Sequence, residues 1–257
     1  VSQSLADLSG IRAIYFDLDD TLCGYWDASK GGLRAAFEAH APEGHTADGL
    51  LGHWATAFRE FCPNLRQLGW YERYLKNSEA PRTELMRRAL ERASILDEDL
   101  AAKISHTYMV ERDRRLALFD DAVELLDWLA ARYPLGLITN GPADLQRMEI
   151  ATLGIADRFQ AIFIEGEMGF GKPAPEVFRL AEEAFHVTGR EILFVGNSYH
   201  HDIAPAIAAG WRTAWIRRPS DVPPSAFGGT SKPEELPFGA PEPDWTVNDL
   251  RSLMDAL

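Results

Sequence analysis

The stretch Ala13-Ile14-Tyr15-Phe16-Asp17-Leu18-Asp19-Asp20-Thr21-Leu22 constrains the fold more than any other part of the chain. A short apolar run stops abruptly at acids and a threonine. Ile14 and Phe16 would point to one face of a strand, and Ala13 and Tyr15 to the other. Apolarity on both faces suits a central strand of a parallel sheet with helices on both sides. In open parallel sheets, ligands gather outside the carboxyl ends of the strands. Asp17 and Asp19 fall at such an end, where a turning backbone would aim both carboxylates into one small volume. Like charges that close repel unless a cation or a shared proton intervenes, and a hard, oxygen-ligated ion such as Mg²⁺ would meet that need. The plainer reading is an acidic loop closing the strand, with Asp20 or Thr21 capping a helix.

From Cys23 to about Leu116 the sequence carries helical spacing and no convincing strand. Leu33, Ala36, Phe37 and His40 make one stripe, and Leu50, Trp54, Ala57, Phe58 and Phe61 make a second that Pro63 stops. A third helix is predicted to open at Pro81, and a fourth carries Leu100, Ile104, Tyr108 and Glu111. Trp26, Trp54, Trp70, Tyr71 and Tyr74 read as bundle core rather than a ligand box. Arg66, Arg73, Arg82, Arg87 and Arg88 read as solvated helix faces.

After Phe119 helices and strands alternate, as in successive βαβ units. Asp121 with Glu124 is predicted to cap a helix that ends near Pro134. Leu135 to Ile138 is a buried strand leading into Thr139-Asn140-Gly141-Pro142, where a hydroxyl and free amides at a helix start suit a phosphate. Ala161 to Ile164 is a further strand, followed by a glycine-rich loop. A lone lysine before a proline is usually a surface residue, but Lys172 opens a helix at the same edge, where its ammonium could sit among the aspartates and neutralise phosphate oxygens. The strand Ile192 to Val195 ends at Gly196-Asn197-Ser198-Tyr199-His200-His201-Asp202. The His-His-Asp triplet lacks the ligand spacing of a zinc site, and Asp202 reads as a helix cap. Thr213 to Ile216 is a fifth strand, Arg217 to Asp244 a long surface loop, and Trp245-Thr246-Val247 with a terminal helix closes the fold.

A formal net charge of -13 argues against a nucleic-acid binder, because an anionic substrate must then be drawn in by a local cation or metal. No apolar run spans a bilayer and the start has no signal-peptide layout, so a cytoplasmic protein with Cys23 and Cys62 reduced is expected.

Asp17-x-Asp19-x-Thr21, Thr139-Asn140-Gly141, Lys172-Pro173 and the Gly196 to Asp202 loop together resemble, in order, the signatures of the haloacid dehalogenase superfamily. Gln146, Gly154, Phe159, Glu165, Gly169 and Phe178 make Thr139 to Phe178 similar to the branch holding N-acylneuraminate-9-phosphatases and pyrimidine 5′-nucleotidases. The resemblance implies an α/β, Rossmann-like core over residues 1–22 and 117–257, with an all-helical cap over 23–116. It implies a phosphomonoester hydrolase of a small phosphorylated metabolite, with no nucleic-acid or membrane partner. Asp17 would form an aspartyl-phosphate and Asp19 would act as acid and then base. Thr139, Asn140 and Gly141 would hold the phosphoryl oxygens with Lys172, and Mg²⁺ would sit among Asp17, Asp19, Asn197 and Asp202. A sugar-phosphate mutase would use the same pair of acids, whereas a dehalogenase needs no acid at position 19. That branch usually has Asp where this chain has Asn197, which implies weaker metal binding or a ligand-binding protein with little turnover.

Overall fold

The computed structural model describes residues 10–227 and 234–257. Strand β1 (Ala13–Phe16) is followed by helices α1 (Tyr25–His40), α2 (Ala47–Phe61), α3 (Tyr71–Lys76), α4 (Glu79–Arg92) and α5 (Glu98–Asp113). The chain then runs through α6 (Asp120–Leu129), β2 (Leu135–Thr139), α7 (Ala143–Thr152), β3 (Ala161–Ile164), α8 (Glu165–Met168) and α9 (Pro175–Phe185). It ends with β4 (Ile192–Gly196), α10 (Ala204–Ala208), β5 (Arg212–Ile216) and β6 (Trp245–Val247). The strands form one parallel sheet in the order β3-β2-β1-β4-β5-β6. From β1 the chain moves outward through β2 and β3, then returns to the other side of β1 as β4. The reversal places a crevice beyond the carboxyl end of β1, where Asp17 follows Phe16.

Apolarity on both faces of β1 is used as expected. Ile14 and Phe16 pack with Leu125, Leu126 and Leu129 of α6 and with Leu137 and Val195 of the flanking strands. Ala13 and Tyr15 pack on the other face with Val177, Phe178 and Ala181 of α9 and with Trp211. Each fully buried side chain of this size contributes roughly 1.5–3 kcal/mol relative to exposure, so a polar residue at Ile14 or Phe16 would break the sheet's covering.

The segment between β1 and α6 has its own apolar core, including Leu33, Phe37, Trp54, Phe61, Met86 and Ile104. Its first and last helices approach closely, because Gly32 lacks a side chain: a Cβ there would lie 2.8 Å from the Arg112 backbone nitrogen. The chain crosses into and out of this segment through adjacent residues. The Phe119 N–H donates to the Leu22 carbonyl at 2.9 Å, the Gly24 N–H to the Ala117 carbonyl at 3.1 Å, and Cys23 bridges Leu118 in antiparallel fashion.

Several expectations are corrected. The third predicted helix begins at Glu79 rather than Pro81, α3 is a further short helix in the stretch read as helical, and α8 occupies the start of the stretch read as a glycine-rich loop. Asp121 does not cap α6 with Glu124. It accepts two hydrogen bonds from Arg218 and one from the Leu250 N–H, so its charge is spent on tertiary pairing. The stretch from Arg217 to Asp244 is not simply a surface loop, since Arg218 is buried against Asp121, the Thr21 carbonyl and the Phe119 ring. Its proline and glycine content signals irregular backbone, and irregular backbone is buried here around a paired guanidinium. Cys23 is buried, Cys62 is half-buried and both are free thiols, as expected. No helix among the described residues is long and apolar enough to cross a membrane.

Candidate active site

The Asp17 backbone continues the β1 register, with its N–H donating to the Val195 carbonyl at 2.9 Å. Asp17 is buried, and its carboxylate is held at both oxygens: Lys172 Nζ donates to Oδ1 at 2.7 Å and Thr21 Oγ1 to Oδ2 at 2.9 Å. The same ammonium donates to Asp202 Oδ1 at 2.7 Å. Burial alone would lower the Lys172 pKa, but the charges and hydrogen bonds of Asp17 and Asp202 outweigh it and raise it, so the ammonium is a fixed charge. The lysine is aimed by its backbone. Its N–H donates to Asn140 Oδ1 at 2.9 Å, and Asn140 Nδ2 donates to its carbonyl at 2.6 Å.

Asp202 is 1% exposed, and its other oxygen accepts the Ser198 N–H at 2.9 Å. It lies within the short turn Tyr199–Ile203, whose cap is the Ser198 hydroxyl, accepting the His201 N–H. The capping role expected of Asp202 therefore belongs to Ser198. Gly196 permits this packing, because a Cβ there would stand 2.5 Å from Asp202 Oδ2. Asp20 does cap a helix start, accepting the Trp26 N–H at 3.1 Å from a left-handed backbone with φ of 58°.

Asp19 is held on a chain of side chains that the sequence did not reveal. Its Oδ2 accepts Gln146 Nε2 at 3.2 Å, and that nitrogen also donates to Glu149 Oε2 at 2.8 Å. Glu149 Oε1 in turn accepts Arg112 Nη1 at 2.6 Å, in a pair whose side chains are both 0% exposed. Burial, and then the charge of Asp17, push the Asp19 carboxyl up to about 7, so it holds a proton close to neutrality. Thr139 Oγ1 donates to Gln146 Oε1 at 2.6 Å, and the Gly141 N–H donates to Glu165 Oε2 at 3.0 Å. Glu165 also accepts the Tyr71 hydroxyl, which joins α3 to the Thr139-Asn140-Gly141 turn.

Asn197 completes the edge. Its Oδ1 lies 3.3 Å from Thr21 Oγ1, so it and Asp17 Oδ2 flank one hydroxyl. Its Nδ2 donates to Asp221 Oδ2 at 3.0 Å, which fixes the amide with oxygen toward Asp17 and nitrogen toward Asp221. Burial pushes the Asp221 carboxyl up to about 6. Asp221 comes from the supposed surface loop, and no periodicity or motif marked it. Among the described residues no group of three or more His, Cys, Asp or Glu side chains forms a metal cage. The oxygens at this edge, the Asp17 carboxylate and the Asn197 amide flanking the Thr21 hydroxyl, still suit Mg²⁺, which binds through one or two carboxylates and keeps several waters.

Lys172 and Asn140 form part of the wall of a cavity of about 500 Å³ that reaches into the helical segment. Trp26, Trp54, Tyr71, Tyr74, Arg66 and Arg82 line it as well. These aromatics therefore serve two purposes: Trp54 belongs to the segment's core and also faces the cavity. Arg87 and Arg88 pair with Glu84, Arg73 stacks on Trp70 and the exposed Arg66 stacks on Tyr71, whereas the half-buried Arg82 departs from the solvated-face reading.

A family model described as haloacid dehalogenase-like hydrolase matches residues 11–210. The chain is 35% identical to a phosphoserine phosphatase of Thermus thermophilus, with 95% of this chain and 98% of the relative covered. It is 27% identical to the N-acylneuraminate-9-phosphatase of Mus musculus, covering 84% of this chain and 86% of the relative. Among solved structures, the magnesium-bound putative HAD-hydrolase YfnB of Bacillus subtilis aligns with a TM-score of 0.70 at 22% identity, over 95% of this chain and 97% of that one. At that identity the likeness speaks for the fold alone.

Proposed function

The chain belongs to the haloacid dehalogenase-like hydrolase family, and from that premise we propose that it is a Mg²⁺-dependent phosphatase of small phosphorylated metabolites working through Asp17. The observation that carries this reading is the division of labour between two neighbouring carboxyls. Asp17 faces the fixed charge of Lys172, while Asp19 is poised to hold a proton. Environments that separate two acids in this way assign a nucleophile and an acid/base.

In the first step an Asp17 oxygen forms a bond to phosphorus as the ester P–O bond breaks, and the Asp19 proton passes to the departing oxygen. In the second, water attacks phosphorus and gives a proton to Asp19, and the Asp17 P–O bond breaks to free phosphate. Lys172 neutralises charge on the phosphoryl oxygens, and the turn Thr139-Asn140-Gly141 positions them. Thr139 reaches a phosphoryl oxygen by turning its hydroxyl from Gln146. Asp17, the Asp19 backbone carbonyl and Asn197 would hold Mg²⁺, with Asp202 and Asp221 adding negative charge nearby. When bound, the ion supplies Lewis-acid charge compensation to the phosphoryl group. The helical segment 23–116 serves as the cap that excludes water and reads the leaving group.

The direct test is phosphate release from a panel of phosphomonoesters with and without Mg²⁺. No release from any ester with the metal present would overturn the reading. Asp19→Asn should lower kcat by about 10²–10⁴-fold on alkyl phosphates, the usual worth of a positioned acid/base. The loss should be smaller on aryl phosphates with good leaving groups, which need less protonation. Equal losses across both classes would remove Asp19 from the acid role.

Asn197→Asp tests the metal edge. It sets a carboxylate against Asp221 in place of a hydrogen bond of 3.0 Å. Without Mg²⁺ the variant should lose about 1–3 kcal/mol, and Asp221→Asn in the same chain should restore it. With Mg²⁺ its half-saturating metal concentration should fall, because carboxylate count tunes affinity for hard cations. Thermal melts across a Mg²⁺ titration read both effects. A melt unchanged by Asn197→Asp at zero metal would mean that the amide and Asp221 are not paired.

A further inference from the structure

Among the described residues, two arginines lining the cavity lack a carboxylate partner: Arg66, which is exposed and stacks on the Tyr71 ring, and Arg82. Lys172 is paired with Asp17 and Asp202, and Arg112 with Glu149 and Asp113. Elsewhere in the helical segment, Arg34 meets Asp48, Arg87 and Arg88 meet Glu84, and Arg92 meets Glu60. Arg82 differs. It lines the cavity, is half-buried, and among the described residues has only hydroxyl partners: Nε donates to Ser105 Oγ at 3.1 Å and Nη1 to Ser78 Oγ at 3.5 Å. Both serines are already engaged elsewhere, Ser78 as donor to Asp144 and Ser105 as acceptor from Thr83. Nη2 has no partner among the described residues.

A guanidinium withdrawn from water without a direct ion pair is costly: burial lowers the Arg82 pKa and the charge of Arg112 adds to this, while Tyr108 and the more distant Glu79 and Asp144 only partly oppose it. In a chain of net charge -13, an unpaired cation beside the phosphate site is not there for lack of acids. The two serines take one donor from each of two edges of the guanidinium, which leaves Nη2, between those edges, as the donor still free for a ligand in the cavity that Arg82 lines. Planar oxyanions fit that geometry, whereas an alcohol or amide would leave the charge uncompensated. The neighbouring wall is aromatic, with Trp26, Trp54, Tyr71 and Tyr74. A volume of about 500 Å³ also lies in the range of sites that enclose a ligand of many atoms rather than a bare phosphate.

Resting on the phosphatase reading above, we propose that the natural substrate is doubly anionic, a phosphomonoester whose leaving group carries a carboxylate that Arg82 binds across an aromatic-lined cavity. Arg82 is then a specificity residue: Lys172 and Asp17 meet the phosphoryl end, and Arg82 meets the acid at the other.

The test uses three benzyl phosphates of similar leaving-group chemistry: 3-carboxybenzyl phosphate, its neutral 3-carbamoyl twin and unsubstituted benzyl phosphate, with 3-(phosphonooxymethyl)benzyl phosphate as a bis-phosphate arm. The wild-type protein should favour the carboxylate over the amide by at least about tenfold in kcat/KM, chiefly through KM. In Arg82→Gln that ratio should fall to about one, and Arg82→Lys should keep part of it. Thermal melts of both variants establish folding, and the Lys variant serves if the Gln variant fails to fold. Equal handling of carboxylate and amide by the wild type, or an Arg82→Gln effect of the same size on all esters, overturns the proposal. A preference for the bis-phosphate over the carboxylate overturns the carboxylate assignment in favour of a second phosphate. Hydrolysis of benzyl phosphate without any preference defeats this inference alone, whereas no hydrolysis of any ester defeats the phosphatase reading with it.

Discussion

Asp17→Asn is expected to abolish phosphate release, by on the order of 10⁴-fold or more, in a protein that stays folded. An amide cannot attack phosphorus, and the neighbouring groups do not substitute. Asp202 is turned into Lys172 and the Ser198 N–H, and Asp19 is tied to Gln146. Folding should survive because Lys172 keeps Asp202 as a counterion and can donate to the new amide oxygen, while the amide nitrogen can donate to the Thr21 hydroxyl, whose own proton turns to Asn197 Oδ1. Acid-quenched wild-type reactions should carry phosphate on the peptide containing Asp17, and the variant should carry none. Turnover near the wild-type rate in a sequenced Asp17→Asn preparation would sink the mechanism.

The largest effect on stability is expected from Arg112→Met. Arg112 and Glu149 face each other at 2.6 Å with both side chains at 0% exposure, and removing the cation strands a buried carboxylate. Breaking such a pair costs about 3–5 kcal/mol. For a chain of this size each kcal/mol shifts the melting temperature by about 2–4 °C, so a drop of roughly 6–20 °C follows. Glu149 already has its pKa raised by burial and by the charge of Asp19, with Arg112 opposing both. Without Arg112 the folded state holds the Glu149 proton still more tightly than the unfolded chain does. Folded protein then binds more protons than unfolded, so the deficit deepens as pH rises above the ordinary carboxylate value of about 4. Adding Glu149→Met should recover most of the lost stability. Activity should stay low in the double variant, because there Gln146 loses Glu149, the partner that steadies its hold on Asp19. A single variant that melts like wild type at pH 8 would show that the pair does not support the fold.

What the sequence disclosed and what it hid divide along a physical line. Strands such as Ile192–Gly196 were legible because burial on both faces demands an unbroken apolar run, and the acids that follow such a run stand out. Lys172 and Asp202 were legible only as parts of an ordered set of motifs, since nothing local says that side chains 30 positions apart share a salt bridge at 2.7 Å. Arg112, Glu149, Asp221 and Arg218 were hidden for that reason: each is a charged residue whose burial depends on a distant partner, and taken alone each reads as surface. Arg82 was read as a solvated helix face because helical spacing tells which side a residue occupies but not whether that side meets water or a cavity. The Asp121 misreading is similar, for an acid at a helix start serves equally well as a cap or as the counterion of a guanidinium from the other end of the chain.

The paired crossing at Leu22–Gly24 and Ala117–Phe119 bears on how such a chain can be rebuilt. Because entry and exit are hydrogen-bonded neighbours, everything between them is a closed excursion that begins and ends at one point on the sheet layer. Segments with adjacent ends can be exchanged or shortened without rerouting the rest of a fold. A short turn joining Gly24 to Ala117 would leave the strand order and the Asp17, Lys172 and Asp202 cluster untouched while opening the edge to bulk solvent. The arrangement makes the helical segment a cassette, and recognition of the organic group can be re-engineered, or can diverge in descent, separately from the chemistry beneath it.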